Sequence, residues 1–237
     1  MFVSEAGRIQ AFYETEYGPS GSRLWSARDP RAMYFRHVVE RAVATVLDDA
    51  GADLDGDILD VGCGGGAYTR FLVDLGADPE RTTGIDLVPD RIEAASRDSP
   101  ASMRWQVADA TEMPFEDASF DVVAQFTALC NLRDADLRLR AAQEMTRVLR
   151  PGGIVLWFDV SRSTMPELHG ITPDELRTLF AGFELPAERP VLVRGSWLIA
   201  GRAPTLCAML EAASSILPCT NLAAVLRCAT SSAAGSP

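Results

Sequence analysis

The run Ile58 to Tyr68, ILDVGCGGGAY, constrains the fold of this chain more than any other stretch. A short apolar segment carrying a carboxylate leads into four glycines within five positions, and helix-compatible residues follow at once. Glycine lets a backbone turn through positive φ and pass close to a ligand, while the free amides of a following helix start favour electronegative groups. A strand, a glycine turn and a helix in that order predict the first unit of an α/β sheet. In such sheets ligands sit beyond the carboxyl ends of the strands.

The rest of the chain repeats that unit. Strands are expected at 57–61, 82–86, 103–107, 120–126 and 154–159, with helices at 67–75, 89–97 and 134–149 between them. FDVVAQF reads as continuously apolar, which suits a strand buried on both faces, as in a parallel sheet. A helix begins at Asp29 as N-cap with Pro30 in the first turn, buries Phe35, Val38, Val39, Ala42, Val43, Val46 and Leu47 on one face, and stops at Gly51. Beyond 160 the pattern is looser: helices at 173–181 and 205–217, strands at 184–193 and 221–228. The expected architecture is a doubly wound, Rossmann-like, mostly parallel seven-stranded sheet with helices on both faces and an antiparallel last strand. One domain over 1–228 follows, made of an N-terminal helical lid or cap (1–50), a core (57–160) and C-terminal substrate-side elements (161–228), with a flexible tail at 229–237.

Composition narrows the function. With 22 basic and 33 acidic residues the formal charge is −11, unsuited to gripping a nucleic-acid backbone. Apolar runs are too short to span a bilayer, and the start MFVSEAGRIQ lacks a secretory signal, so a cytoplasmic protein is expected, bound to neither nucleic acid nor membrane. A homodimer stays open. Five widely spaced cysteines without a Cys-x-x-Cys pair indicate neither a disulfide framework nor a zinc site, and no metal is expected. Cys63, inside the glycine loop, reads as a small filler, and His37, beside the apolar stripe of its helix, as a structural histidine.

The glycine run fits D-x-G-x-G-x-G through Asp60, Gly62, Gly64 and Gly66, and it also fits a degenerate dinucleotide fingerprint. Asp86, about twenty residues on at the next strand end, suits a pair of ribose hydroxyls. Asp109, after the third strand, suits an exocyclic adenine amine, for which a plain dinucleotide fold has no requirement. Together with TGIDLVPDRIEAA, VADATEMPFEDASFDVV and EMTRVLRPGGIVLWFD, the loop makes residues 57–160 resemble the class I S-adenosylmethionine-dependent methyltransferases of the type 11-like group.

The resemblance implies roles residue by residue. Gly62, Gly64 and Gly66 would approach the methionine portion of S-adenosylmethionine, and Asp60 its amino end. Asp86 would hold the ribose, Leu87 would lie against the adenine, and Asp109 with Ala110 would meet the adenine edge. Gln125 and Phe126 would face the sulfonium side. The implied reaction is methyl transfer to a small-molecule acceptor, leaving S-adenosylhomocysteine. A hydroxyl of a metabolite, sugar or natural product is the expected acceptor; transfer to nitrogen or carbon, or cofactor binding without catalysis, are the alternatives. A hydroxyl calls for a general base. His169, in the loop after the fifth strand, is the expected base, with Asp159 second.

Overall fold

The computed structural model describes residues 5–17, 29–163, 165–193, 196–200, 203–212 and 217–229. Its helices are α1 (Glu5–Tyr17), α2 (Pro30–Ala50), α3 (Ala67–Asp74), α4 (Pro89–Arg97), α5 (Ala135–Val148), α6 (Pro173–Leu179), α7 (Ser196–Ile199) and α8 (Pro204–Ala212). Its strands are β1 (Ile58–Val61), β2 (Thr82–Asp86), β3 (Arg104–Val107), β4 (Phe120–Phe126), β5 (Leu149–Val160), β6 (Glu184–Val193) and β7 (Cys219–Arg227). They form one seven-stranded sheet in the order β3-β2-β1-β4-β5-β7-β6. The first five strands pair in parallel, and β7 lies antiparallel between β5 and β6.

Period-2 alternation divides the core between the two faces. Ile58, Val122, Leu156 and Phe158 pack with Val39, Val43 and Leu72 of α2 and α3, whereas their neighbours Leu59, Val123, Val155 and Trp157 pack with Met145 of α5 and Leu176 of α6. Burial on both faces explains the unbroken apolar runs of β1 and β4. Each large side chain buried this way contributes about 1.5–3 kcal/mol. α2 begins as its sequence dictates, with Asp29 accepting from the Arg31 N–H at 2.8 Å, and ends at Gly51 with φ 55°.

The order reverses at β1, whose neighbours β2 and β4 carry the chain to opposite sides. The crevice above this switch point is where the fold admits a ligand.

Several boundaries differ from expectation. The Arg150-Pro151-Gly152-Gly153 segment lies within β5, which starts at Leu149 opposite Phe120; the next pair is Val122 with Ile154, so the extra residues are accommodated as an irregularity. Gly153 is needed there, since a Cβ would lie 2.7 Å from the Asp121 carbonyl. β3 starts one residue late because Met103 turns into the core, while β3 itself is an exposed edge. The expected 205–217 helix stops at Ala212, and 213–216 lie outside the described residues, as do the Gly18–Gly21 turn, Trp25 and the tail beyond Ala229. No described helix is long and apolar enough to cross a membrane.

Candidate functional site

The crevice is lined by Gly62 after β1, Ile85, Asp86 and Leu87 at the end of β2, Ala108, Asp109 and Ala110 after β3, and Ala128, Leu129, Asn131 and Leu132 after β4, with Ile9 of α1 reaching in from above. Gly62, Gly64 and Gly66 take φ of 71°, 55° and 74°. At Gly62 a Cβ would lie 2.5 Å from that of Ala128, so glycine alone lets the two walls meet as they do. Gly62→Ala is expected to cost at least ~1 kcal/mol of stability and to displace the Ala128 wall. A thermal-unfolding comparison checks this, and an unchanged midpoint would show that the turn has slack.

Behind the loop stands Trp105 of β3. A Cβ on Gly84 would meet its ring at 2.5 Å and the Cys63 sulfur at 2.9 Å. The indole and the thiol thus fill the space under the turn, and burial pushes the Cys63 thiol up, which suits a filler rather than a nucleophile. Nothing in the sequence marked Trp105 for this role.

Asp86 is buried and tied from two sides: one carboxylate oxygen accepts the Gly64 N–H and the other the Val88 N–H, both at 2.9 Å. Each oxygen keeps capacity for a further donor, which is what a ribose diol offers. Asp60 is 1% exposed. One of its oxygens accepts from the Thr69 hydroxyl at 2.5 Å, while the other, Oδ1, is buried with no hydrogen-bond partner. Burial pushes its carboxyl up to about 7, the Thr69 bond opposes this, and the charge of Asp86 adds to it. An unpartnered buried carboxylate oxygen beside a glycine turn fits a cationic amino group.

Asp109 is exposed on the crevice rim, and its Oδ1 accepts from the Thr111 N–H and hydroxyl, both at 2.8 Å. It caps a turn while lining the crevice, and its neighbour Ala110 lines it too.

Gln125 and Phe126 lie elsewhere. Gln125 is fully buried, donating to the Phe158 carbonyl at 3.3 Å and accepting from the Ala128 N–H at 3.0 Å, so it supports the crevice wall from behind. Phe126 stacks on Tyr68 at 5.0 Å within the α2-side core.

His169 stands outside the crevice lining. Its Nε2 lies 2.8 Å from Glu175 Oε2, and Glu175 is held by Arg138 at 2.9 Å on its other oxygen. Thr172 caps α6 by accepting the Glu175 N–H, which fixes the carboxylate under the ring. Asp159 is fully buried, and both its oxygens accept from backbone N–H groups, of Cys130 at 3.1 Å and Val160 at 2.7 Å.

The lining residues that sequence reasoning missed, Ile9, Ile85, Ala108, Ala128, Leu129, Asn131 and Leu132, are mostly apolar and drawn from four separate segments; only the fold joins them. Among the described residues no group of three or more His, Cys, Asp or Glu is placed to hold a metal ion. A second hollow, lined by Gly51, Asp53, Asp55, Pro151 and Arg227, sits at the amino ends of the strands, away from this chemistry.

Sheet order, switch-point crevice and the Asp60, Asp86 and glycine arrangement define a class I methyltransferase fold with a nucleoside-cofactor crevice. Residues 59–157, the core of the chain, match the family described as the methyltransferase domain. A demethylmenaquinone methyltransferase of Staphylococcus aureus (strain JH9) is 38% identical over 124 residues, 51% of this chain and 50% of that protein. The chain spans about half the length of the curated relatives it matches.

Among solved structures, the Burkholderia thailandensis 1,6-didemethyltoxoflavin-N1-methyltransferase, with bound 1,6-didemethyltoxoflavin and S-adenosylhomocysteine, superposes with TM-score 0.65 at 18% identity, over 97% of this chain and 91% of that one. The [4+2]-cyclase SpnF superposes with TM-score 0.61 at 21% identity, over 82% of each chain. At these identities the likeness is one of fold.

Proposed function

We propose that the chain transfers the methyl group of S-adenosylmethionine to a hydroxyl oxygen of a small-molecule acceptor. The observation that carries the cofactor assignment is the buried, unpartnered Asp60 Oδ1, set beside a glycine turn whose first amide after Cys63 is pinned by Asp86. When bound, the cofactor supplies a methyl carbon already activated by its sulfonium. The chain's own residues then have positioning to do. Asp60 receives the amino end, Asp86 holds the ribose, and Leu87, Asp109 and Ala110 frame the adenine. Ile9, next to the hydrogen-bonding Arg8 on α1, closes the crevice over them and keeps water out.

His169 serves as the base in this reading. The Glu175 carboxylate, already accepting from Arg138, holds the tautomer with its proton on Nε2 and leaves Nδ1 to take the acceptor's proton. His169→Ala is expected to slow transfer by roughly 10²–10⁴ with cofactor affinity unchanged, read by single-turnover rates and calorimetry.

Transfer to a nitrogen or carbon acceptor that needs no base is the second reading. It is favoured by the placement of His169 outside the crevice lining and by the Burkholderia neighbour, whose acceptor atom is a nitrogen by name. An unaltered rate in His169→Ala would select it. The cofactor is tested separately: S-adenosylhomocysteine should raise the unfolding temperature and NAD should not. The reverse ranking would overturn the assignment. Because the fold also serves a named cyclase, methyl transfer itself is checked by mass spectrometry of acceptor panels for the gain of one methyl group.

A further inference from the structure

The crevice wall after β4 is held in an unusual way. β4 exits through Thr127, a non-glycine residue at φ 55°, into a short turn at Leu129–Asn131. Every side chain this wall presents to the crevice, from Ala128, Leu129, Asn131 and Leu132, depends on that turn. Its backbone is fastened from outside. The Cys130 carbonyl accepts the His169 N–H at 2.8 Å, the Asn131 carbonyl accepts from Arg8 of α1, and the Leu132 and Arg133 carbonyls accept from Arg138 at 2.7 and 2.9 Å. These are all cations or amides on carbonyls. The Cys130 N–H is fastened the other way, to the carboxylate of Asp159 on β5.

Asp159 does not line the crevice, and its second oxygen is occupied by the Val160 N–H. It is fully buried, yet two backbone donors converge on it. We propose that Asp159 is a positioning residue for the cofactor site: its carboxylate holds the Cys130 segment in register, and protonation slackens that wall and weakens cofactor binding. This rests on reading the crevice as the S-adenosylmethionine site.

The groups facing Asp159 are the Gln125 amide of β4, the Cys130 thiol of the turn and, across the sheet, Leu222 of β7. Burial and the Asp159 charge push the Cys130 thiol well up, so it stays neutral. Burial likewise pushes the Asp159 carboxyl up to about 6, against the hydrogen bonds from Cys130, Val160 and Gln125. The proton therefore arrives within an ordinary assay range. Asp60 titrates higher, on the opposite wall, and is common to wild type and variant.

The test measures S-adenosylhomocysteine affinity by calorimetry from pH 5 to pH 8 for wild type and Asp159→Asn, with peptide-level hydrogen exchange on both. At pH 8 the variant should bind roughly tenfold more weakly, as expected for loss of a charged acceptor. The gap should close as pH falls through about 6, where the wild-type carboxylate itself takes up a proton. Amides of 129–132 should lose protection in the variant while those of β1 and β4 keep theirs, a local pattern that general destabilisation does not produce.

A gap that is constant with pH, or protection lost equally across β4, would overturn the proposal. If Asp159→Asn does not fold, wild-type exchange at 129–132, corrected for intrinsic pH dependence, decides alone: faster opening below pH 6 supports the device and a flat profile ends it. Wild type that binds no S-adenosylhomocysteine at any pH overturns the cofactor assignment, and this inference with it.

Discussion

Asp60→Asn is expected to make the protein more stable at pH 8 and a poorer cofactor binder at the same time. The carboxyl of Asp60 is held at about 7 in the fold by burial, against an ordinary value of 3.8. A group raised in this way favours the fold fully below its unfolded value, and that contribution is lost as pH rises through about 7. At pH 8 the ionised, half-partnered carboxylate therefore costs on the order of 4 kcal/mol. Asparagine carries no charge and keeps the bond to Thr69, although its amide still wants a partner, so recovery of about half that cost is expected. At about 2–4 °C per kcal/mol for a chain of this size, the midpoint should rise by several degrees at pH 8. At pH 5, still above the unfolded value of 3.8, wild type pays only part of that cost, so the gain from asparagine should be smaller than at pH 8. Cofactor affinity should fall about tenfold or more at pH 8, because the unpartnered Oδ1 is then no longer a charged acceptor. Thermal scans at the two pH values with calorimetry at pH 8 check both halves. A variant less stable than wild type at pH 8 would mean that Asp60 Oδ1 already has a partner within the fold.

That antagonism between stability and binding explains why parts of the site were legible in the sequence and others were not. Asp60 stands in an apolar strand where local rules ask for valine or isoleucine, and Gly62 to Gly66 interrupt a strand-to-helix passage that needs far fewer glycines. Departures from local rules are visible in a single sequence. The sheet was legible for the opposite reason, because parallel strands covered on both faces write continuous apolar runs, as in FDVVAQF. β3, an exposed edge with only Trp105 half-buried, writes no such run, and its start was misplaced by a residue.

What stayed hidden is whatever only the fold brings together. Ile9 and Leu132 are 123 positions apart and chemically plain, yet both line the crevice. Gln125 was readable as a polar residue at a strand end, but whether its amide turns toward ligand or toward the Phe158 carbonyl is decided by the neighbouring strand. The same holds for His169, whose tie to Glu175 depends on Thr172 starting a helix three residues before that carboxylate.

Asp86→Ala is expected to give the largest loss of cofactor affinity of any single substitution in the crevice. The side chain does two jobs at once. It accepts the Gly64 and Val88 N–H groups at 2.9 Å each, which clamps the glycine turn to the start of α4, and it keeps acceptor capacity directed at the crevice it lines. Losing charged acceptors to a ribose diol costs about 1.5–3 kcal/mol, or roughly 10- to 150-fold in affinity. Losing the clamp adds to this, because the Gly64 amide, in a backbone conformation of φ 55°, has its only fixed partner in Asp86 among the bonds described. Asp86→Asn separates the two jobs: its carbonyl oxygen can retain one of the backbone N–H groups, so the turn keeps part of its clamp while the charge is gone. The expected order of S-adenosylhomocysteine affinity is therefore wild type, then asparagine, then alanine, with alanine also lowering hydrogen-exchange protection at 62–66. Equal affinity in all three proteins would remove Asp86 from the cofactor site. Equal losses in both variants, with unchanged protection of the turn, would leave the ribose contact standing and discard the clamp.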